Sequence, residues 1–350
     1  MIARPWRLCA VSSLLVLAWL AAACTAPPAP APARSPAEPA APAAPAAAAP
    51  PRLEEIKITH PSSAMGSMPI FVARDRGFFE RNGVKAETLL LSSDRAMAAV
   101  AAGEIHYVGG VGSASVAASA LGLPIRAAWF SQSSPAQILF ARPEIQTVEQ
   151  LRGKRVGVPG LGGTSATVTA LALKHYGLES GRDLVVLAIG TDELLLESLR
   201  TGAIDLAPLP APASLKARAE GFTPLVDVAT LVQMPLGGLS ITLAKLTDER
   251  DQARRVIRAL TQAQEWILQN REEAVQMIVD TLSTDRATAE GTYDESVPTF
   301  QGKGLVNRQG IENLLQILRD DGRLGPEIRY EDVAYPQLAE EVARELGLIP

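Results

Sequence analysis

Residues 154–177 read KRVGVPGLGGTSATVTALALKHYG and combine a short strand, a glycine-rich turn and a helix. Residues 155–158 are largely apolar and are followed by Pro159, which predicts a buried strand. Three glycines then occupy positions 160, 162 and 163. Thr164 and Ser165 precede a run rich in Ala and Leu that Gly177 closes. Hydroxyls at the start and a glycine at the end predict a helix over this run.

The turn between this strand and this helix predicts a site for a ligand rich in hydrogen-bond acceptors. Glycines let the backbone approach a bound molecule, and a helix start offers free N–H groups and a positive dipole end. An ordinary helix cap that binds nothing fits the stretch equally well. Two sharper motifs are excluded. Ser165 stands where a dinucleotide fingerprint needs glycine, and Gly163 stands where a P-loop needs lysine.

The first 23 residues predict a signal peptide. Arg4 and Arg7 give a basic start, and residues 11–20 form an apolar core too short to span a bilayer. Residues 20–24, LAAAC, resemble a bacterial lipobox, although Leu20 lies one position further from Cys24 than usual. In such signals the cysteine is lipidated and begins the mature chain. Lipidation of Cys24 would hold the protein in the cell envelope, outside the cytoplasmic membrane; an ordinary secretory peptide cut after Ala23 is the alternative.

Residues 24–52 consist almost entirely of Ala and Pro and predict an extended linker rather than a fold. The mature chain has no cysteine but Cys24, so an internal disulfide and cysteine-based metal or nucleophile chemistry are excluded. The net charge of −5 becomes −7 once Arg4 and Arg7 are removed, which argues against nucleic acid as a partner. No cofactor or metal site is expected.

The remaining residues, 53–350, are enough for two lobes. Strand and helix signals alternate along them in the βαβ rhythm of open α/β sheets. We predict that lobe 1 comprises residues 53–141 and 243–350, and that lobe 2 comprises residues 142–242. The chain would leave the first lobe near residues 137–142 and return near residues 239–242.

Small polar side chains recur at the predicted carboxyl ends of the strands, where ligands of open α/β sheets bind. These residues are Ser62, Ser63, Ser92, Ser93, Ser113, Ser131 and Gln132. Each one alone fits a helix cap better than a ligand contact, but their recurrence on one edge indicates a binding site. Gly160, Gly163, Thr164 and Ser165 of the glycine-rich turn join them as candidates.

Several short blocks resemble the nitrate/sulfonate/taurine and thiamine-precursor binding proteins. The first block runs from Met68 to Val84 and includes the letters FVA at 71–73 and RGFF at 76–79. The second is TVEQLRGKRVG at 147–157, and the third is DLAP at 205–208. The resemblance covers about residues 53–325. It implies a type II periplasmic-binding-protein fold, which consists of two α/β lobes joined by two hinge strands.

In that family the strand-end loops contact the ligand, which implies a binding role for Asp192 as well as for Ser62, Ser63, Ser92, Ser113, Ser131, Thr164 and Ser165. The expected protein is a monomeric, lipid-anchored solute-binding lipoprotein with no catalytic residues. It would deliver a small anionic or polar organic solute to the permease and ATPase of an ABC importer. Two alternatives remain open: a dehydratase- or cyclase-like enzyme on the same fold, and a ligand-sensing lipoprotein.

Overall fold

The computed structural model describes residues 53–61, 64–161, 163–232, 234–235, 237–300, 303–320 and 322–350, except for the side chain of Ser113. All of them fall within the unit formed by residues 51–350. The expected signal peptide, lipidation site and linker, and the candidates Ser62 and Ser63, lie outside the described residues. No described helix is both long and apolar enough to cross a membrane.

The described strands form two five-stranded sheets, as the α/β prediction requires. They are β1 (Glu54–His60), β2 (Val84–Leu90), β3 (Tyr107–Gly109), β4 (Ile125–Gln132), β5 (Ile138–Ala141), β6 (Arg155–Val158), β7 (Val185–Ala188), β8 (Leu206–Leu209), β9 (Thr223–Asp227) and β10 (Gly237–Thr242). The first sheet has the order β2-β1-β3-β10-β4, and the second has the order β7-β6-β8-β5-β9. In the first sheet β10 runs antiparallel to both of its neighbours, and in the second sheet β5 does so.

The chain crosses between the sheets at places that differ from the sequence prediction. Residues 138–141, expected in the first lobe, form β5 and pair with β8 and β9 of the second sheet. Residues 237–242, expected in the second lobe, form β10 and lie between β3 and β4 of the first sheet. Both are short apolar runs with remote partner strands, so local periodicity cannot assign them to a sheet. The crossings therefore fall between β4 and β5 and between β9 and β10.

Helices cover both sheets. The first lobe holds α1 (Met68–Asp75), α2 (Phe78–Arg81), α3 (Ser93–Ala101), α4 (Ser113–Ala120), α8 (Leu243–Thr247), α9 (Arg250–Gln269), α10 (Arg271–Leu282), α11 (Arg286–Ser296), α12 (Arg308–Asp320), α13 (Tyr330–Val333) and α14 (Gln337–Glu345). The second lobe holds α5 (Thr164–His175), α6 (Asp192–Arg200) and α7 (Ala213–Ala219). Short 3₁₀ turns occur at Met65–Ser67, Val148–Leu151, Val228–Thr230 and Val297–Thr299.

The buried core is continuous between the two lobes. The apolar face of α9 repeats every three or four residues, as at Val256, Leu260 and Ala263, and packs within the first lobe. A second buried cluster contains residues of both sheets, including Phe130 of β4 and Leu139 of β5. The two lobes are therefore packed against each other in this structure.

Candidate ligand site

The start of α5 forms as the sequence predicts, from a strand, a glycine-containing turn and a helix. β6 ends at Val158, Gly163 occupies the N-cap position in an extended conformation, and Thr164 is the first helical residue. The Gly163 carbonyl accepts hydrogen bonds from the backbone N–H and the side-chain hydroxyl of Thr167. The first N–H groups of a helix have no partner within the helix, so this end of α5 is suited to an acceptor-rich group.

The start of α4 faces the start of α5 across the boundary between the lobes. Gly112 is the N-cap of α4 and belongs to the first lobe, whereas Thr164 begins α5 in the second. A Cβ atom built on Gly112 would lie 2.0 Å from Oγ1 of Thr164 and 3.2 Å from its Cβ. Two helix starts, with their positive dipole ends, therefore meet at the lobe boundary.

Ser165 joins this helix start to the first crossing segment. Its hydroxyl donates to Oε1 of Gln137 at 3.2 Å, and Gln137 is buried immediately before β5. The Gln137 carbonyl in turn accepts the N–H of Val228. Gln137 was not among the candidates, because nothing in its local sequence connects it with a helix 28 positions away.

Ser131 and Gln132, at the end of β4, are fully buried and bonded to other protein groups. The Ser131 hydroxyl donates to the Gly66 carbonyl at 2.9 Å, and Nε2 of Gln132 donates to Oγ1 of Thr299 at 2.8 Å. Gly66 also lies against Gly237 of β10, where an added Cβ on Gly237 would be 3.0 Å from Gly66 Cα. These two hydrogen bonds therefore hold the 3₁₀ turns at Met65–Ser67 and Val297–Thr299 against the end of β4.

The other described candidates lie at separate helix starts. Ser92 is the N-cap of α3 and Ser93 its first residue; both are exposed, and Ser92 makes no side-chain capping bond. Ser113 begins α4. The Gly160 carbonyl accepts from the N–H of Gly163 within the α5 turn. The structure thus brings Gly160, Gly163, Thr164 and Ser165 together with the start of α4, and it leaves the α3 pair on the surface.

Asp192 begins α6, after the N-cap Thr191, whose hydroxyl accepts from the N–H of Leu194. Its strand, β7, pairs with β6, and the N–H of Ile189 bonds the carbonyl of Val158, so the starts of α5 and α6 leave the same edge of the second sheet. Burial raises the pKa of Asp192 to about 6, and the charge of Glu193 adds to the rise. A carboxylate that is unfavourable when ionised therefore lies at this edge.

A second contact between the lobes joins α7 to α11. The Ser214 hydroxyl donates to Oε2 of Glu295 at 2.8 Å. Burial raises the pKa of Glu295, although the Ser214 bond and the charge of Arg218 oppose the rise. Local sequence patterns do not predict this pair, because 81 positions separate the two residues.

No metal centre is formed by the described part of the chain, in which no group of three or more His, Cys, Asp or Glu side chains could hold an ion. The candidate residues at the starts of α5 and α6 supply backbone N–H groups, neutral hydroxyls and the Asp192 carboxyl.

Two mixed sheets, two crossings and facing helix starts define the type II periplasmic-binding-protein fold, and solved structures share it. A protein of Bordetella bronchiseptica is 18% identical with a TM-score of 0.72, covering 85% of this chain and 99% of that one. The alkanesulfonate-binding protein SsuA from Xanthomonas axonopodis pv. citri, bound to MOPS, is 17% identical with a TM-score of 0.68, covering 82% and 99%. The nitrate-binding protein NrtA from Synechocystis is 15% identical with a TM-score of 0.68, covering 85% and 90%.

The family is shown by a sequence match. The model of the family described as NMT1/THI5 like matches residues 65–274, more than half of the chain, so the protein belongs to the NMT1/THI5-like family. No curated protein matches the chain significantly. The family resemblance inferred from residues 68–84 and 147–157 is confirmed.

Proposed function

We propose that this protein is the solute-binding component of an ABC import system and captures a small anionic or polar organic solute between its lobes. The observation that carries the proposal is the meeting of the α4 and α5 starts across the lobe boundary, at Gly112 and Thr164. The family and the shared fold support it.

The solute would be held by neutral donors rather than by a cation. Residues 110–115 and 160–167, which surround the two helix starts, contain no Lys or Arg. Backbone N–H groups and the hydroxyls of Thr164 and Ser165 would bond a sulfonate, carboxylate, nitrate or polar ring, and the two helix dipoles would favour negative charge.

Capture would proceed by rotation of the lobes about the two crossings, and no covalent bond would be made or broken. A solute that contacts both lobes stabilises the closed arrangement by its higher affinity for that state. Its apparent affinity depends on how much of the empty protein is already closed. Fixed contacts between the lobes therefore influence affinity.

Anchoring and delivery complete the proposal. The signal peptide, Cys24 and the linker of residues 24–52 would tether a monomer outside the cytoplasmic membrane. From there the closed, loaded protein would dock on a permease and its ATPase.

Thermal unfolding of the purified mature protein tests the proposal. The probes are nitrate, MOPS and other sulfonates, small carboxylates, and a small-molecule extract of the producing cells. A bound solute raises the unfolding temperature by mass action, and small-angle scattering should show the solute-bound protein to be at least as compact as the empty one. If neither the pure compounds nor the extract raises the unfolding temperature, the proposal is wrong.

A further inference from the structure

The contact between α7 and α11 joins the two lobes beside the first crossing, where the carbonyl of Thr299, just after α11, accepts the N–H of Ser133. α7 follows β8 of the second sheet, whereas α11 packs on α10 and contributes Tyr293 to the core of the first lobe. Ser214 is almost fully buried, and its hydroxyl lies 2.8 Å from the Glu295 carboxylate. The bond therefore links one lobe to the other through side chains alone.

Gly291 brings the two helices close enough for this bond. It lies one turn before Glu295 on α11, and a Cβ atom on it would be 2.8 Å from Cδ1 of Leu215, the residue after Ser214. A larger residue would force Leu215 aside. The pair Gly291–Leu215 and the pair Ser214–Glu295 thus form one continuous patch, which we call the α7–α11 contact.

Rotation of one lobe against the other changes this contact, because its two sides belong to different lobes. A rotation that separates α7 from α11 would return the Glu295 carboxylate and the Ser214 hydroxyl to water. We propose that the α7–α11 contact is a latch that stabilises the closed arrangement of the empty protein through the Ser214–Glu295 bond. The consequence for affinity rests on the proposed function: the latch would tighten the binding of any solute captured between the lobes.

The test compares Ser214→Ala, Glu295→Ala and the double variant by small-angle scattering of the empty protein and by amide hydrogen exchange across α7 and α11. A hydrogen bond to a charged acceptor that is lost on opening should shift the closed-to-open ratio by about tenfold to a hundredfold. We therefore expect a larger radius of gyration and faster exchange in each single variant. The double variant should resemble the single ones, because all three remove the same bond.

Two further variants keep the test specific. Glu295→Gln retains an acceptor for Ser214 and should stay closer to the wild type than Glu295→Ala. Glu290→Ala removes a carboxylate from the same helix that pairs only with Arg286 among the described ion pairs, and it should leave scattering and exchange unchanged. Circular dichroism confirms that each variant is folded.

Unchanged scattering and exchange in folded Ser214→Ala and Glu295→Ala would overturn the latch. The same result in Glu290→Ala as in Glu295→Ala would overturn it too, because the effect would then not depend on the contact. These measurements use the empty protein. The latch can therefore fail while solute binding stands, and solute binding can fail while the latch stands.

Discussion

Gly112 and Thr164 lie so close that a single methyl group on Gly112 would collide with the threonine hydroxyl, at 2.0 Å. The backbone of Gly112 is extended, with φ −168° and ψ −166°, a conformation open to any residue. Glycine is therefore favoured here by the close approach of Thr164 from the second lobe and not by the local backbone conformation. This separates the effect of a substitution on closure from its effect on folding.

We predict that Gly112→Ala disfavours the closed arrangement. The empty protein should have a larger radius of gyration than the wild type, while its unfolding temperature changes little. Adding Thr164→Ala removes the hydroxyl and leaves the nearest atom, Cβ, at 3.2 Å, so the double variant should regain much of the compactness. Wild-type scattering from Gly112→Ala alone would contradict the interpretation.

We predict that Thr164→Ala combined with Ser165→Ala weakens solute binding. Losing one such hydrogen bond costs about 1–3 kcal/mol, which corresponds to about five- to 150-fold in affinity. Calorimetry with a solute identified by thermal shift measures the loss. Thr167→Ala is the matched control, since its hydroxyl bonds the Gly163 carbonyl within the same turn and should not matter for affinity.

The two single variants separate a lost contact with the solute from a change in the segment that crosses between the lobes. Ser165 also donates to Gln137 beside the first crossing, so Ser165→Ala alone would alter the scattering of the empty protein if the bond governs the crossing. Unchanged affinity in the double variant would leave the α5 turn as an ordinary helix start.

We predict that Asp192→Asn stabilises the protein at pH 7 but not at pH 4. The pKa of Asp192 is raised from 3.8 to about 6 in the folded protein, chiefly by burial, so the folded state holds its proton to higher pH than the unfolded state. Stability contributed by the protonated carboxyl is complete below about pH 4 and is lost as pH rises through 6. Asparagine does not ionise, and the variant should exceed the wild type by about 1–2 kcal/mol at pH 7, allowing for partial exposure.

Urea unfolding between pH 4 and pH 7 measures this difference. Asp285 provides a contrast, because its hydrogen bonds to the side chain and backbone of Thr288 lower its pKa. Its contribution is present above the unfolded pKa and is lost as pH falls, which is the opposite sign. A pH-independent difference between Asp192→Asn and the wild type would refute the assignment.

We predict that Cys24→Ser releases the protein from membranes without unfolding it. The expectation rests on the apolar segment that ends at Ala23-Cys24 and on the Ala/Pro linker that follows. Membrane fractionation and mass analysis of the mature N-terminus measure the outcome. Cys9→Ser, within the segment expected to be removed, is the control and should remain anchored. A soluble wild type with an unmodified N-terminus would show that the anchor does not exist.

Local patterns predicted the elements well. The helix from Thr164 to His175 and the positive-φ glycine beyond it, Gly177 at φ 73°, correspond to the hydroxyls and glycine read from the sequence. The two strands beside the crossings were assigned to the wrong sheets, because β5 and β10 are short apolar runs whose partners are remote. Length and periodicity carry no information about which sheet accepts such a run.

The candidate site shows the same limit. Ser131 and Gln132 are polar residues at a strand end, as a ligand site requires, yet a carbonyl at position 66 and a hydroxyl at position 299 occupy their hydrogen-bonding groups. Gln137, Gly112 and Glu295 were missed because their partners are 28 to 81 positions away. The hydrogen-bonding groups of a side chain are evident from the sequence, whereas the residue that they bond depends on the tertiary fold.

The position of β10 sets the order in which the two lobes can be completed as the chain emerges. The second sheet is built from one continuous stretch, β5 to β9, and every strand of it precedes residue 228. The first sheet stays split between β3 and β4 until residues 237–242 arrive to fill the gap. Until then β4 has no partner strand and one edge of β3 is unpaired, which favours wrong strand pairing. A chain truncated before residue 237 should therefore retain a structured second lobe and an aggregation-prone first one.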